Sequence, residues 1–392
     1  AASDAHWRVV KPEALYERPV PERHRLIFYL GHLEAFDWNL LAPGLGLAPF
    51  RAEWDQLFAF GIDPVDGQLP SDPPQAWPGV AEVLAYNREI RQRLTTALER
   101  KAGDDLELRL EVALEHRWMH VETLSYLFHN LAYEHKLTGP APAPGGKPAA
   151  GQREPIAVPA GTATLGQARN GRFGWDNEFD ALTAAVPAFA CGRHKVTNGE
   201  YLKFVEAGAA PPHFWRQREG GWFYRGMFAE APLPLDQPVY VTHNEARSYC
   251  AWSGADLPTE AEWHRMSYGT REGAERSFPW GEEQPHAVAG NFDLRAWDPV
   301  AVDAFASAAS AWGVEDLVGN GWEWTSTPFA PFPGFRSFDF YPGYSTNFFD
   351  GKHFVLKGGS PRTAACLLRR SFRNWFQPHY PYLYAGFRTV TH

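Results

Sequence analysis

The stretch EHRWMHVETL carries two histidines, His116 and His120, four residues apart. On an α-helix, residues at this spacing project from one face about one turn apart, so two imidazoles can bind one metal ion. Zinc hydrolases use the same spacing with a glutamate directly after the first histidine, whereas Arg117 stands there in this chain. The pattern therefore disfavours a zinc protease, and by itself it also fits two ordinary histidines of a helix.

A third histidine, His32, lies within the apolar stretch FYLGHLEAFDWNLL. Although a lone histidine on an apolar face is usually a core residue, facing helices of a bundle bring inward side chains to a common point, where metal sites form. His32, His116 and His120 would give a three-histidine site with open positions for water, O2 or a substrate. Neutral imidazoles suit Fe(II), Cu or Zn, and the residue types do not choose among them. His129 and His135 are expected to lie outside this site.

Long amphipathic stretches predict the helices that position these histidines. The first contains His32 and ends at Pro43, the second ends at Gly103, and the third continues to about Lys136. Three to four long helices with short connections indicate an up-down helical bundle.

The second half of the chain has a different pattern, with short strand-like runs between Gly, Pro and Asn turns. At least two helices in this half start with a capping box, in which a threonine is followed three residues later by a glutamate. These boxes are Thr197 with Glu200 and Thr259 with Glu262. The pattern predicts an α+β domain with much irregular structure.

The segment LTGPAPAPGGKPAAGQREP separates the two halves and has no periodicity, which is typical of a linker. The predicted domains are a helical bundle over residues 6–136, the linker over 137–155 and the α+β domain over 156–392. The length of 392 residues also favours two domains.

Composition argues against several classes of protein. The net charge of −9 and the pI near 5.9 argue against a nucleic-acid binder. No apolar run approaches the roughly 18 residues of a membrane span, and the first residues lack the layout of a signal peptide. The three cysteines form no CxxC pattern and fit a reducing compartment, so a cytoplasmic protein is expected.

Several motifs carry a resemblance that spans nearly the whole chain. In the first half they are GHLEAFDWN and LEHRWMHVETL. In the second half they are GWDNE, KVTNGEYLKFV, LPTEAEWHRMSYG, LVGNGWEWTSTPF, LKGGS and RNWFQPHYPYLYAGFR. Together they resemble the ergothioneine-type sulfoxide synthases, which are non-haem iron enzymes. The resemblance implies a DinB-like four-helix bundle followed by a formylglycine-generating-enzyme-like domain of the C-type-lectin-like fold.

The same resemblance implies a cofactor and a reaction. Fe(II) is the expected cofactor, with His32, His116 and His120 as its ligands. In this family, iron and O2 join a sulfur donor to C2 of the imidazole ring of hercynine, the trimethylated betaine of histidine. Formylglycine-generating enzymes instead bind copper through a cysteine pair near the C-terminus, and no cysteine follows Cys366 here.

The resemblance also implies substrate-binding and catalytic residues in the second half. The family holds hercynine partly through an RNW segment, which here is Arg373, Asn374 and Trp375. A catalytic tyrosine of the family, a proton or electron donor, lies between the WEWT and GGS motifs. In this chain that interval offers Tyr341 and Tyr344, and the sequence does not choose between them.

Two positions depart from the family pattern. Enzymes that use γ-glutamylcysteine have Asp directly after RNW, where it would pair with the ammonium group of the donor, but here Phe376 takes that place at the donor site. They also use an Arg before the second helix, and the matching stretch here, PPQAWPG, has none. We therefore expect a donor without a zwitterionic head group. In this respect the chain resembles the selenoneine synthases of the family, which couple hercynine to a selenosugar.

Two alternatives stay open. One is an ergothioneine-type sulfoxide synthase that joins hercynine to cysteine, γ-glutamylcysteine or another thiol, since other branches of the family also vary at the Asp position. The other is a non-catalytic betaine- or sugar-binding protein, which would have no need of three histidines.

Overall fold

The computed structural model describes residues 2–59, 71–100, 104–143, 145–146 and 154–392. The chain divides into two compact units, Ala1–Pro140 and Ala141–His392. The division falls inside the segment 137–155, where a linker is predicted. None of the described helices is long and apolar enough to cross a membrane.

The N-terminal unit is helical. Its helices are α1 (Ala2–His6), α2 (Leu26–Leu45), α3 (Ala52–Leu57), α4 (Val80–Leu98) and α5 (Asp104–Asn130). Short 3-10 turns lie at Trp7–Val9, Pro12–Tyr16, Pro74–Ala76 and Tyr133–His135. Because α2 packs against α3, α4 and α5, every residue from Leu26 to Ala35 is buried, and apart from His32 and Glu34 these residues are uncharged and mostly apolar.

The helix ends differ from the prediction in two places. α2 continues through Pro43 and ends where Gly46 adopts a left-handed conformation (φ 73°), with its N–H donating to the carbonyls of the last turn. α5 ends at Asn130, and a separate 3-10 turn follows it before Lys136. The predicted end of the second helix, Gly103, lies outside the described residues. The likeness of this unit to DinB proteins stays a prediction.

The C-terminal unit combines short strands with four helices in its described part. The strands are β1 (Ile156–Val158), β2 (Gly161–Leu165), β3 (Leu182–Val186), β4 (Phe189–Cys191), β5 (Trp215–Arg218), β6 (Gly221–Arg225), β7 (Glu230–Pro232), β8 (Trp322–Pro328), β9 (Phe354–Lys357), β10 (Asn374–Phe376), β11 (Ala385–Gly386) and β12 (Val390–Thr391). The helices are α6 (Asn198–Glu206), α7 (His243–Ser253), α8 (Glu260–Tyr268) and α9 (Gly343–Thr346).

The described strands form sheets in the orders β1-β4-β12, β10-β9-β8-β11, β2-β3 and β5-β6-β7. Neighbouring strands are antiparallel except for β11, which runs parallel to β8. Among the described strands, β10 lies at a sheet edge and pairs only with β9, so that Phe376 lies opposite Phe354. The expected mixture of helices and strands is confirmed.

Both predicted capping boxes are present, at the starts of α6 and α8. The N–H of Glu200 donates to Thr197 Oγ1 (3.2 Å), and the N–H of Thr197 donates to the Glu200 carboxylate (2.8 Å). In the same way, the N–H of Glu262 donates to Thr259 Oγ1 (3.2 Å), and the N–H of Thr259 donates to the Glu262 carboxylate (2.7 Å). α7 begins with a third box of this kind. These contacts satisfy backbone N–H groups that the first helical turn leaves unpaired.

A 3-10 turn within the GWDNE motif links distant parts of the C-terminal unit. Glu178 accepts hydrogen bonds from Arg369 Nε (2.8 Å) and from the hydroxyl of Ser371 (2.6 Å). Asp176 accepts a hydrogen bond from the hydroxyl of Ser345. The turn therefore joins the segment before β10 to the segment that contains α9.

The carboxyl group of Asp176 gives a prediction about stability. Burial raises its pKa to about 6, although hydrogen bonds from Ser345 and Asn177 act in the opposite direction. The ionised carboxylate therefore destabilises the folded state above this pKa, and the penalty disappears as the pH falls towards the ordinary value near 4. In denaturant titrations, we expect Asp176→Asn to be more stable than the unsubstituted protein at pH 8, with a gap that closes as the pH falls from 6 to 4.

The matched control is Asp180→Asn, which removes a partly exposed ion pair with Arg169. Its free energy of unfolding should stay within about 0.5 kcal/mol of the unsubstituted protein at every pH. A stability gap for Asp176→Asn that does not change with pH would contradict the assignment.

Candidate metal centre

Three histidines converge inside the N-terminal unit. His32 comes from α2, and His116 and His120 come from successive turns of α5, with exposed fractions of 3%, 4% and 5%. The Nε2 atom of His120 lies 3.2 Å from that of His32 and 3.1 Å from that of His116. All three potential ligand atoms lie within 4.8 Å of one another. His129 and His135 are not members of this group.

The geometry and the ring charges fit a bound divalent cation. With metal–nitrogen bonds of about 2.1 Å, neighbouring imidazole nitrogens in tetrahedral or octahedral coordination lie about 3.0–3.4 Å apart. Burial lowers the pKa of His32 to about 4 and the pKa values of His116 and His120 well below the ordinary value. The rings are therefore neutral at pH 7, and each can offer a lone pair to Fe(II), Cu or Zn.

Aromatic rings enclose two of these histidines. The Phe36 ring stacks on His116, with 3.4 Å between ring centroids and 11° between ring planes. The Phe28 ring stacks on His32 at 4.9 Å and 20°. These walls exclude water from the imidazoles, which explains why burial is the largest cause of the lowered pKa values.

A cluster of charged side chains beside the histidines joins α2, α4 and α5. Arg117, directly after His116, donates to the Glu34 carboxylate at 2.9 Å and also to Asp37. Arg91 of α4 donates to the same Glu34 oxygen at 2.9 Å. Arg117 thus connects α5 to α2. It occupies the position directly after the first histidine, where zinc hydrolases have the glutamate that serves as general base. This cluster was not predicted, and its sequence signal is the two acidic residues within an otherwise apolar helix.

The predicted substrate-binding residues lie in the C-terminal unit, on and before β10. Trp375 stacks on Phe329 at 4.1 Å and 7°, and Phe376 stacks on Tyr380 at 5.4 Å and 18°. Asn374, Trp375 and Phe376 are each partly exposed. This edge strand therefore presents one amide and two aromatic rings that a ligand can reach.

Arg373 is placed differently from its neighbours on β10. Its buried guanidinium group donates to both carboxylate oxygens of Glu260, at 3.1 and 3.2 Å. It also donates to the backbone carbonyls of Asn177 (3.3 Å) and Ala330 (3.0 Å). These bonds fix the start of β10, and direct binding of a substrate by Arg373 stays a prediction.

The two candidate tyrosines lie at and just before α9. Tyr344 is buried, with its ring stacked on Trp175 at 3.9 Å and 25°. Tyr341 is half-buried, and its ring centroid lies 5.4 Å from that of Tyr344. The Tyr344 ring also lies 5.4 Å from the Trp375 ring. One aromatic cluster thus connects Tyr341 and Tyr344 to Trp375 of β10. Trp175 of the GWDNE motif also belongs to this cluster, and the sequence analysis did not predict this.

Comparisons with known proteins cover both units. The sulfatase-modifying factor enzyme 1-like domain matches residues 141–392. A hercynine oxygenase from Mycolicibacterium smegmatis is 35% identical over 380 residues, covering 90% of this chain and 86% of that protein. Ergothioneine biosynthesis protein 1 from Schizosaccharomyces pombe is 27% identical over 430 residues, covering 98% of this chain and 54% of that protein. A formylglycine-generating enzyme from Bos taurus is 30% identical over 243 residues, covering 50% of this chain and 63% of that protein.

The similarity to the mycobacterial protein extends well beyond the C-terminal unit, because it covers 90% of the chain. The similarity to the bovine enzyme covers only half of the chain. This chain therefore belongs to the ergothioneine-type sulfoxide synthase family, which includes the hercynine oxygenases, and its C-terminal unit is a sulfatase-modifying factor enzyme 1-like domain.

Proposed function

We propose that this chain is an iron(II)- and O2-dependent enzyme that joins hercynine, at C2 of its imidazole ring, to the sulfur atom of a thiol. The observation that carries the proposal is the convergence of His32, His116 and His120 in a chain 35% identical to a hercynine oxygenase. A protein that only binds a betaine or a sugar gains nothing from three neutral imidazoles at such short distances. The binding-protein alternative is therefore disfavoured.

The proposed reaction balances without an external reductant. Hercynine loses the hydrogen at C2, the thiol loses its S–H hydrogen, and a C–S bond forms. O2 supplies the sulfoxide oxygen and the oxygen of one water molecule. Bound iron supplies a centre at which O2 reacts with the organic substrates. The protein holds that centre with three imidazoles and keeps water from it with the rings of Phe28 and Phe36.

The residues around β10 suit a betaine. Asn374 carries an amide that can donate a hydrogen bond to the carboxylate of hercynine. The partly exposed ring of Trp375 suits a trimethylammonium group, which is attracted to aromatic faces and has no hydrogen to donate, and the buried Phe329 ring supports Trp375 by stacking on it. Arg373, held by Glu260, supports this surface from beneath the strand.

Of the two tyrosines, Tyr341 suits the role of proton donor better. The ring of Tyr344 is buried against Trp175, and this contact makes Tyr344 a packing residue. Tyr341 is half-buried, so part of its side chain lies at the surface. We assign the catalytic role to Tyr341 on this difference in exposure.

A selenosugar is a second candidate for the donor, and Phe376 favours it. The ring of Phe376 stacks on Tyr380 and gives this position an aromatic surface. It has no carboxylate to pair with the ammonium group of an amino-acid-like thiol. An aromatic surface suits a sugar ring, whereas cysteine and γ-glutamylcysteine would lose an ionic contact there.

Removing one ligand tests the metal assignment. We expect His120→Ala to lose more than the 10–100-fold in iron affinity that removal of an outer hydrogen bond typically costs, because one of three direct ligands is missing. Turnover of hercynine should disappear with the metal. Iron stoichiometry after anaerobic reconstitution, and the mass of the product after O2 is added, measure both effects. His135→Ala, outside the group of three histidines, is the control. Full iron loading and turnover in His120→Ala would refute the assignment.

The donor is identified by competition between thiols and a selenosugar. Cysteine, γ-glutamylcysteine and a selenosugar are offered together with hercynine and O2, and the products are separated by mass. Phe376→Asp should raise kcat/KM for γ-glutamylcysteine about tenfold or more, because a charge-assisted hydrogen bond contributes about 1.5–3 kcal/mol. Phe376→Leu, which adds no charge, is the control. A preference of the unsubstituted enzyme for γ-glutamylcysteine would eliminate the selenosugar.

Removing single hydroxyl groups tests the assignment of the tyrosines. Tyr341→Phe should lower kcat about 100-fold or more, because general acid catalysis typically contributes at least that factor. Tyr344→Phe keeps the ring on Trp175 and should lower kcat less than about tenfold. Single-turnover rates, with iron content held equal, measure the difference. The reverse order of effects would move the role to Tyr344.

A further inference from the structure

The three histidines differ in what holds their second ring nitrogen. His32 Nδ1 lies 2.6 Å from the backbone carbonyl oxygen of Phe58, in a buried position. Because a carbonyl oxygen only accepts, Nδ1 carries the hydrogen and Nε2 keeps the lone pair. The Nδ1 atoms of His116 and His120 are buried without a hydrogen-bond partner among the described residues. His32 is therefore the ligand whose tautomer the protein fixes by a hydrogen bond.

The Phe58 carbonyl is placed by the packing of its own side chain. Phe58 directly follows α3, and its N–H donates to the carbonyl of Trp54 at 3.0 Å. Its ring is fully buried. Four aromatic rings surround it, with centroid distances of 6.4 Å for Phe28, 5.9 Å for Trp54, 6.1 Å for Trp77 and 6.0 Å for Tyr86. Aromatic neighbours on several sides leave the ring little freedom to move.

The Phe58 ring fills a hollow on α2 that requires glycine at position 31. A Cβ atom on Gly31 would lie 2.5 Å from Cε1 and 2.6 Å from Cδ1 and Cζ of this ring, closer than real Cβ atoms approach. Glycine in the middle of a helix costs about 0.5–1 kcal/mol relative to alanine. The packing of the Phe58 ring offsets that cost and explains why a glycine directly precedes His32.

We propose that Gly31 and Phe58 are positioning residues for the metal ligand His32. Gly31 leaves space for the Phe58 ring to pack on α2. This packing places the backbone carbonyl of Phe58 next to Nδ1 of His32. The resulting hydrogen bond orients the imidazole and increases the basicity of Nε2. The inference rests on the proposed metal-binding function. Outer hydrogen bonds of this kind typically change metal affinity 10–100-fold.

The test compares two glycine substitutions within α2. Gly31→Ala meets the Phe58 ring, whereas a Cβ at Gly44 meets nothing within 4 Å, so Gly44→Ala is the matched control. Co(II) serves as the probe, and its Kd for the full chain is measured by competition with a chelator. We expect Gly31→Ala to raise Kd about 10–100-fold and Gly44→Ala to change it less than about twofold.

A spectroscopic signature separates positioning from a general loss of stability. In the Co(II) protein, the Nδ1–H proton of His32 gives a strongly shifted NMR signal, and its hydrogen bond to Phe58 slows exchange with water. Gly31→Ala should shift this signal and speed its exchange, and Gly44→Ala should leave it unchanged. Adding Phe58→Leu to Gly31→Ala makes room for the new methyl group and keeps the carbonyl, but it removes the ring that positions this carbonyl. The double variant should therefore recover only part of the lost Co(II) affinity.

The outcomes distinguish this inference from the proposed function. An unsubstituted protein that binds neither Co(II) nor Fe(II) would overturn the metal site and the inference with it. If the unsubstituted protein binds Co(II), and Gly31→Ala binds it equally well with the same N–H signal, only the positioning role is overturned. If Gly31→Ala does not fold, the double variant decides. A folded double variant whose Kd for Co(II) equals that of the unsubstituted protein would also overturn the role of the Phe58 ring, because that variant lacks the ring.

Discussion

Bringing three neutral imidazoles to one point in a water-free interior is the constraint on which the N-terminal unit depends. The Nε2 atom of His120 lies 3.1 Å from that of His116 and 3.2 Å from that of His32. The packing of α2 against α5 maintains this arrangement. The ion pairs of Glu34 with Arg91 and Arg117 join α2 to α4 and α5 next to the histidines. Because these charges are hydrogen-bonded to one another, they cross-link the helices without leaving a buried charge unpaired.

Buried ion pairs also fix the position of β10 and β8 in the C-terminal unit. Arg373 and Glu260 pair beneath β10, and Arg388 pairs with Glu323 of β8. All four side chains are almost completely buried. Buried charges are tolerated where every one is hydrogen-bonded, and removal of one partner costs about 3–5 kcal/mol because it leaves the other charge buried and unpaired. The exposed aromatic residues of β10 therefore rest on a rigid base.

The sequence was sufficient to predict those features that depend on local periodicity. The spacing of His116 and His120 predicted that both side chains lie on one helix face. The expectation of a facing helix predicted that His32 lies close to them, and the three histidines do form one group. The capping boxes were predicted because they involve residues only three positions apart.

Other features depend on contacts that no local pattern encodes. Phe58 reaches His32 across 26 residues because α3 folds back on α2, and Glu260 reaches Arg373 across 113 residues. The end of α2 was predicted too early, because the helix continues through Pro43 and is closed by the left-handed Gly46. The different exposure of Tyr341 and Tyr344 likewise depends on the distant Trp175.

The edge position of β10 has an evolutionary consequence. A residue on a central strand must suit neighbours on both sides, so a substitution there endangers two ladders of hydrogen bonds. Phe376 faces a single neighbouring strand, β9. Its side chain can therefore be replaced by one of different chemistry while the pairing of the sheet is kept. An edge strand of this kind therefore tolerates single mutations on its surface without loss of the fold.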